Sequence, residues 1–315
     1  MRRVIVIGGL LLLGLAFAKS FGAMDRDHRE RQAWTWRGGV PADGWLHVRN
    51  RSGSVKIEQG TSDSIEIVAS RSWTGRRPQD VAFITNQVGD DIYVCALYGG
   101  GDSSDCDEDT YRNTSTNWIK RRVMRIRPVT VGFTIRAPSS ARINAETRDG
   151  QIAVAAPLSA LVAKSRNGSI KTEQPIGTIE ANTRNGSISA IIADGALAGD
   201  VLLETYNGSV TAELPASANA NVSLQTRNGR ISTDFPLQVT LDGEQNGSRL
   251  RNITSVLGTG GPQVKLQTYN GSVRLKSRGE VGAASGRTGA GATASGTAAA
   301  HPVSDSAGHE QGHPD

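Results

Sequence analysis

The chain has 315 residues, 37% hydrophobic and only 5% aromatic, with 37 glycines and a formal net charge of +5. So few large apolar side chains argue against a compact α/β enzyme and suit an elongated β-protein with many turns. The charge is a slight excess of 35 basic over 30 acidic residues, spread along the chain, which excludes the dense basic footprint of a nucleic-acid binder.

The first predicted element is an export signal. Arg2 and Arg3 precede an apolar run over 4–18 that ends in the small-x-small pattern Ala16-Phe17-Ala18 and is followed by Lys19. As a helix this run would span only about 22 Å, short of a ~30 Å hydrocarbon core. Residues 1–18 are therefore read as a cleaved signal peptide, with membrane contact only through this segment if it stays uncleaved. No cysteine follows the run, so a lipid anchor is excluded. The expected location is outside the cytoplasm: periplasmic, on the cell surface or secreted.

Residues 19–41 are a lead segment, and residues 42–145 an irregular β cap. Strand-like runs occur there at 54–57, 64–69, 91–96 and 129–136, but no turn signature recurs between Gly53 and Gly150. All five tryptophans (Trp34, Trp36, Trp45, Trp73 and Trp118) fall before residue 119, where bulky side chains would cover the open end of a repeat stack. Cys95 and Cys106 are the only cysteines, and in an exported chain a lone pair is expected to form one disulfide closing a loop. The acidic stretch Asp102, Asp105, Asp107, Glu108 and Asp109 lacks the spacing of an EF-hand and reads as a solubilising loop. Lys120, Arg121 and Arg122 follow to balance it.

From residue 146 to 276 one hexapeptide returns. It appears as Thr147-Arg148-Asp149-Gly150-Gln151-Ile152, Ser165-Arg166-Asn167-Gly168-Ser169-Ile170 and Thr183-Arg184-Asn185-Gly186-Ser187-Ile188. It returns as Thr205-Tyr206-Asn207-Gly208-Ser209-Val210, Thr226-Arg227-Asn228-Gly229-Arg230-Ile231 and Thr268-Tyr269-Asn270-Gly271-Ser272-Val273. A degenerate copy, Gln245-Asn246-Gly247-Ser248, lies in the longest gap, and Asn50-Arg51-Ser52-Gly53-Ser54-Val55 is an outlying first copy. Residues alternate apolar and polar on both sides of each turn, the period of half-buried strands, and Asn-Gly supplies the positive φ of a tight turn.

An antiparallel meander of hairpins fits the Asn-Gly turns. A β-solenoid fits better, because only stacking of successive coils gives identical turns a reason to be identical. The reading is therefore all-β: a single-stranded β-helix-like stack of 18–22-residue coils, with an asparagine ladder and a threonine hydroxyl ladder along it. At ~4.8 Å per coil the turns from 150 to 271 would make a rod about 30 Å long. Residues 277–315 are rich in Gly, Ala and Ser, too poor in apolar residues to fold, and are expected to be disordered.

These repeats resemble a widespread bacterial family of adhesin-like proteins, a domain of unknown function with an Asn-Gly-Ser β-strand repeat. The likeness covers roughly residues 42–276. It is carried by Gly53-Ser54-Val55, by the Asn-Gly-Ser turns, and by Gly258-Thr259-Gly260-Gly261 ahead of Gln267-Thr268-Tyr269-Asn270-Gly271. The resemblance implies an envelope or surface location, a β-solenoid, and adhesion or envelope-stress regulation. It carries no catalytic motif.

Candidate chemistry follows from the columns that stacking would create. Histidines occur only at 28, 47, 301, 309 and 313, outside the repeats, so a serine–histidine–aspartate arrangement has no support. Stacking puts Glu146 and Glu204 in one column separated by Lys164 and Asn182, which gives no paired carboxylates for polysaccharide cleavage. The turn residues Asn167, Gly168, Asn185, Gly186, Asn207, Gly208, Asn228, Gly229, Asn270 and Gly271 are assigned to stacking. What remains free is the column Arg148, Arg166, Arg184, Tyr206, Arg227 and Tyr269, offering forks for phosphate or carboxylate and flat faces for sugars. The resulting expectation is a non-catalytic adhesin-like protein with no cofactor and no metal, binding an envelope polysaccharide or envelope protein and no nucleic acid. An envelope-stress regulatory or scaffolding protein is the alternative, and a polysaccharide-active β-helix enzyme the third reading.

Overall fold

The computed structural model describes residues 27–29 (backbone only) and 33–279, except 42, 77, 109–110, 112–124, 176, 193–196 and 238–250. The signal segment, Trp118, the basic run 120–122, the degenerate turn at 245–248 and the tail from 280 onward lie outside the described residues.

Among the described residues twenty-one strands run in chain order. The first group is β1 (Asp27–Arg29), β2 (Trp34–Gly38), β3 (Leu46–Ser52), β4 (Val55–Gln59), β5 (Ile65–Thr74), β6 (Val81–Val88), β7 (Asp91–Tyr98) and β8 (Val129–Ala137). The repeats supply β9 (Arg142–Asp149) and β10 (Ile152–Ala155), β11 (Ala160–Asn167) and β12 (Ile170–Glu173), β13 (Thr178–Asn185) and β14 (Ile188–Ile191). They continue with β15 (Val201–Asn207) and β16 (Val210–Pro215), then β17 (Ala220–Asn228) and β18 (Ile231–Thr233). Last come β19 (Asn252–Leu257), β20 (Gln263–Asn270) and β21 (Val273–Arg278).

The chain is all-β, with two large sheets and only one short 3-10 turn, Ser103–Asp105, among the described residues. Each Asn-Gly turn joins a strand of one sheet to a strand of the other, and every strand pairs parallel with its counterpart in the next coil. Thus Ile152 lies beside Ile170, Ile170 beside Ile188, and Ile188 beside Val210. A meander is thereby excluded, since hairpin partners would pair antiparallel across their own turn. The inward rows, Ile143, Leu161, Ile179 and Val201 from one sheet and Ile152, Ile170, Ile188 and Val210 from the other, are essentially fully buried between the sheets.

The stack does not follow the order of the sequence. The last coil, β20–β21, sits between β15–β16 and β17–β18: Leu203 neighbours Leu266, and Leu266 neighbours Leu224. Strand β19 pairs antiparallel with the far side of β17, so the chain crosses over the end of β17 between β19 and β20. That crossing is the Gly258-Thr259-Gly260-Gly261 segment. Asn219 Oδ1 accepts from Thr259 N–H (2.8 Å), and Asn221 Nδ2 donates to Gly261 O (2.7 Å). Gly258 has φ +60° and a Cβ there would fall 2.0 Å from Asn219 Oδ1, so both conformation and space require glycine.

One further expectation is corrected. The region 42–145 is not irregular throughout: β3 and β4 form a regular coil whose Ile57 pairs with Val154 and whose Val48 pairs with Ala145. Its turn stood out in the sequence as an outlying copy, but β5–β8, inserted after it, separate it from the coil it stacks on. Those strands close the stack with antiparallel pairs, β5 on β8 and β6 on β7, which leaves shorter parallel edges to template aggregation. Trp34, Trp36 and Trp73 pack against the core from this end.

Candidate functional site: an outward cleft on the ten-stranded sheet

Three columns hold the turns together. Asparagine amides run as a continuous ladder: Asn167 Nδ2 donates to Asp149 Oδ1 (2.6 Å), Asn185 to Asn167, Asn207 to Asn185, Asn270 to Asn207 and Asn228 to Asn270, each of these four at 2.8 Å. The hydroxyl column behaves differently from the expected ladder. Thr183 Oγ1 donates to Gly168 O, Thr205 to Gly186 O and Thr268 to Gly208 O, at 2.8–2.9 Å. Each hydroxyl thus satisfies the glycine carbonyl of the neighbouring coil rather than another hydroxyl, and is buried by doing so.

The glycines are there for closeness more than for turn geometry. A Cβ on Gly168 would lie 1.8 Å from Gly150 O, on Gly208 2.0 Å from Gly186 O, and on Gly229 1.7 Å from Gly271 O. No turn asparagine among the described residues has a positive φ. The turn is a contact point between coils.

The remaining column faces outward in the order Arg148, Arg166, Arg184, Tyr206, Tyr269, Arg227, which differs from the chain order because of the inserted coil. Tyr206 and Tyr269 stack face to face, ring centroids 4.6 Å apart and planes 12° from parallel. The Arg227 guanidinium lies 5.0 Å above the other face of Tyr269. Both faces of Tyr269 are therefore occupied, which corrects the expectation that it offers a flat surface to a sugar. Arg148 pairs with Asp149 at 3.7 Å. Arg184 and Arg227 have no carboxylate partner among the described residues.

Beside Arg184, Tyr206, Tyr269 and Arg227 opens a cleft of about 710 Å³. Its floor is the outward row Asn182, Glu204, Gln267 and Gln225, adjacent across β13, β15, β20 and β17. Arg251 and Asn252, at the start of β19, close the far wall. A smaller recess of about 130 Å³ continues past Glu204 to Leu202 and Lys265. Glu146, Lys164, Asn182 and Glu204 do stand in the expected single column. Lys164 Nζ also lies 3.7 Å from Glu180.

Sequence reasoning missed Arg251, Asn252 and the floor amides. Arg251 carries no repeat signature, since β19 is the antiparallel strand. One sequence feature agrees with the observed order without dictating it: residues 205–210 and 268–273 are the same hexapeptide, Thr-Tyr-Asn-Gly-Ser-Val, and these two copies become neighbours.

Away from the cleft, Cys95 and Cys106 are disulfide-bonded. The loop they close carries Asp102, whose carboxylate accepts from Ser104 N–H (2.9 Å) and Oγ (2.6 Å) to cap the 3-10 turn, so that acid has a local structural task. Arg49 reaches the Asp107 and Glu108 carbonyls and ties the loop to β3. Next to it, His47 stacks on Tyr93 at 4.3 Å. Its Nε2 lies 3.1 Å from Asp91 Oδ2, and its Nδ1 3.2 Å from Asn144 Nδ2. Burial lowers the His47 pKa below the ordinary value, with Asp91 opposing and Arg49 assisting.

The fold defines a stacked-coil repeat protein in which the turn columns hold the coils together. Residues 134–276 match the model of the family described as Toastrack DUF4097. No curated protein matches the chain. Among solved structures it is similar to a "putative cell adhesion protein" from Clostridium sporogenes, at 12% identity and TM-score 0.41, covering 78% of this chain and 100% of that one. It is also similar to a "putative adhesin" from Bacteroides fragilis, at 9% identity and TM-score 0.35, covering 79% and 98%.

Proposed function

We propose that the protein is an exported, non-catalytic β-solenoid that binds a cell-envelope or cell-surface ligand on the outer face of its ten-stranded sheet. The observation that carries this reading is the cleft of about 710 Å³ walled by Arg184, Arg227 and Arg251. Among the described residues no carboxylate pairs with these cations, and the floor is a row of amides interrupted by Glu204. Export is supported by the Cys95–Cys106 disulfide, a bond kept in oxidising compartments. The non-catalytic reading is supported by the lining: Glu204 is the one carboxylate among the described lining residues, whereas glycoside hydrolysis calls for two flanking the scissile bond.

The test is retention of purified full-length protein on bacterial cells and isolated envelope fractions. Wild type is expected to be retained, and an Arg184→Ala, Arg227→Ala, Arg251→Ala variant to be released, with unchanged thermal unfolding. Equal retention of the two proteins would remove the cleft from the reading.

A further inference from the structure

The chemistry of the cleft narrows the ligand, provided that the outer face is the binding face as proposed above. Three guanidiniums, Arg184, Arg227 and Arg251, surround one carboxylate, Glu204. Elsewhere on this face Lys164, Arg49 and Arg148 each lie near an acid, as Lys164–Glu180 (3.7 Å), Arg49–Glu146 (3.8 Å) and Arg148–Asp149 (3.7 Å), while Arg166 stands singly among the described residues. The cleft is thus a local cationic site on a nearly balanced surface, and guanidinium forks favour carboxylate or phosphate oxygens.

Two features say what carries those oxygens. Stacking of Tyr206 on Tyr269, and of Arg227 on the opposite face of Tyr269, leaves only the outer face of Tyr206 for a nucleobase or a neutral sugar ring, too little for a run of stacked rings. The floor sets the acceptor Glu204 between Asn182 on one side and Gln267 and Gln225 on the other, groups that both donate and accept, in a row spaced at about the 4.8 Å of adjacent strands. Glu204 would repel a uniform phosphate backbone but accepts well from hydroxyls. The recess running on to Leu202, Lys265 and Glu180, the last paired with Lys164, lets a chain continue beyond one residue and offers it another cation.

We infer that the cleft binds a linear sugar or polyol chain bearing carboxylate or phosphate groups. Its acid groups sit on Arg184, Arg227 and Arg251, and its hydroxyls on Glu204 and the floor amides.

Calorimetric titration of the full chain tests this, using oligogalacturonate, an oligomeric glycerol phosphate, a neutral dextran oligosaccharide of matched length, a polyglutamate peptide and a single-stranded DNA. At least one of the two anionic polyols is expected to bind, weakening as salt is raised, and which of them binds identifies the acid group. Arg227→Ala or Arg251→Ala should lower that affinity about tenfold or more. Arg166→Ala, in the same column but outside the cleft, should change it by no more than about twofold. Glu204→Gln keeps a hydroxyl partner and removes a like charge, so it should retain or tighten binding. Dextran, polyglutamate or DNA binding as tightly as the anionic polyols would overturn the inference. So would failure of both anionic polyols while Arg-dependent retention on cells persists, an outcome that leaves the broader reading standing.

Discussion

At the scale of single residues, the repeated turn divides its labour sharply. Asparagine donates to the coil on one side and accepts from the coil on the other. Threonine caps a neighbouring carbonyl, and glycine lets two backbones touch. These tasks differ in cost when lost. Asn207 donates to Asn185 and accepts from Asn270 on the wet surface, so Asn207→Ala should cost about 1 kcal/mol. Gly208→Ala would drive a Cβ to 2.0 Å from the Gly186 carbonyl oxygen, with no flexible side chain to give way, and should cost about 3 kcal/mol. Urea unfolding of both variants measures the difference, and a Gly208→Ala loss no larger than that of Asn207→Ala would contradict the packing role. One threonine breaks the pattern. Thr172 is fully buried with an unpartnered hydroxyl, flanked in its row by Val154 and Ala190. Thr172→Val should therefore raise stability by about 1 kcal/mol; a decrease in the unfolding midpoint would show that the hydroxyl has a partner after all.

At the scale of elements, the regular coils were legible in the sequence and the exceptions were not. The alternation around each Asn-Gly gave both strands of every coil, and parallel stacking followed from the need to explain identical turns. The first coil, β3–β4, carries Asn50-Arg51-Ser52-Gly53 in the same role, with Thr147 Oγ1 donating to Gly53 O at 3.1 Å. It was unreadable as a coil because its partner β9 lies some ninety residues on, past the strands that close the stack. Those strands bury His47 between Tyr93, Asn144 and Asp91. Because burial lowers the pKa of the folded imidazole, the unfolded chain takes up a proton first as pH falls. The neutral histidine therefore contributes stability above its ordinary value of 6.5, and that contribution is lost as pH drops below it. Denaturant midpoints at about pH 7.5 and about pH 5.5 should fall on acidification, by less in His47→Gln. A wild-type midpoint that rises over this window, or an identical slope in the variant, would remove His47 from the account.

At the scale of the whole molecule, the cleft is a consequence of stack order. Insertion of β20–β21 between β15–β16 and β17–β18 brings Tyr269 onto Tyr206 and under Arg227, and it carries Gln267 into the floor beside Glu204. Sequential stacking would have set Arg227 directly against Tyr206 and left Tyr269 at the end of the stack. The all-β class and the single disulfide were readable one residue type at a time. The order was not, because a parallel register is satisfied equally well by either neighbour: Val222 or Val264 fits beside Val201, and Leu224 or Leu266 beside Leu203. What selects the observed order is the crossover pinned by Asn219 and Asn221, a local device whose meaning appears only in three dimensions.

The most direct test of this central claim is oxidative crosslinking of paired cysteines in the otherwise native, cystine-containing chain. Cysteines at Glu204 and Gln267 stand on adjacent strands, within the reach of a disulfide, and should link rapidly and quantitatively. Cysteines at Glu204 and Gln225 are two strands apart, about 9.6 Å at the usual spacing, and should stay unlinked under the same conditions. Rapid linking of 204 to 225 with none between 204 and 267 would mean that the coils stack in sequence order, and the cleft built from Tyr206, Tyr269 and Arg227 would not exist.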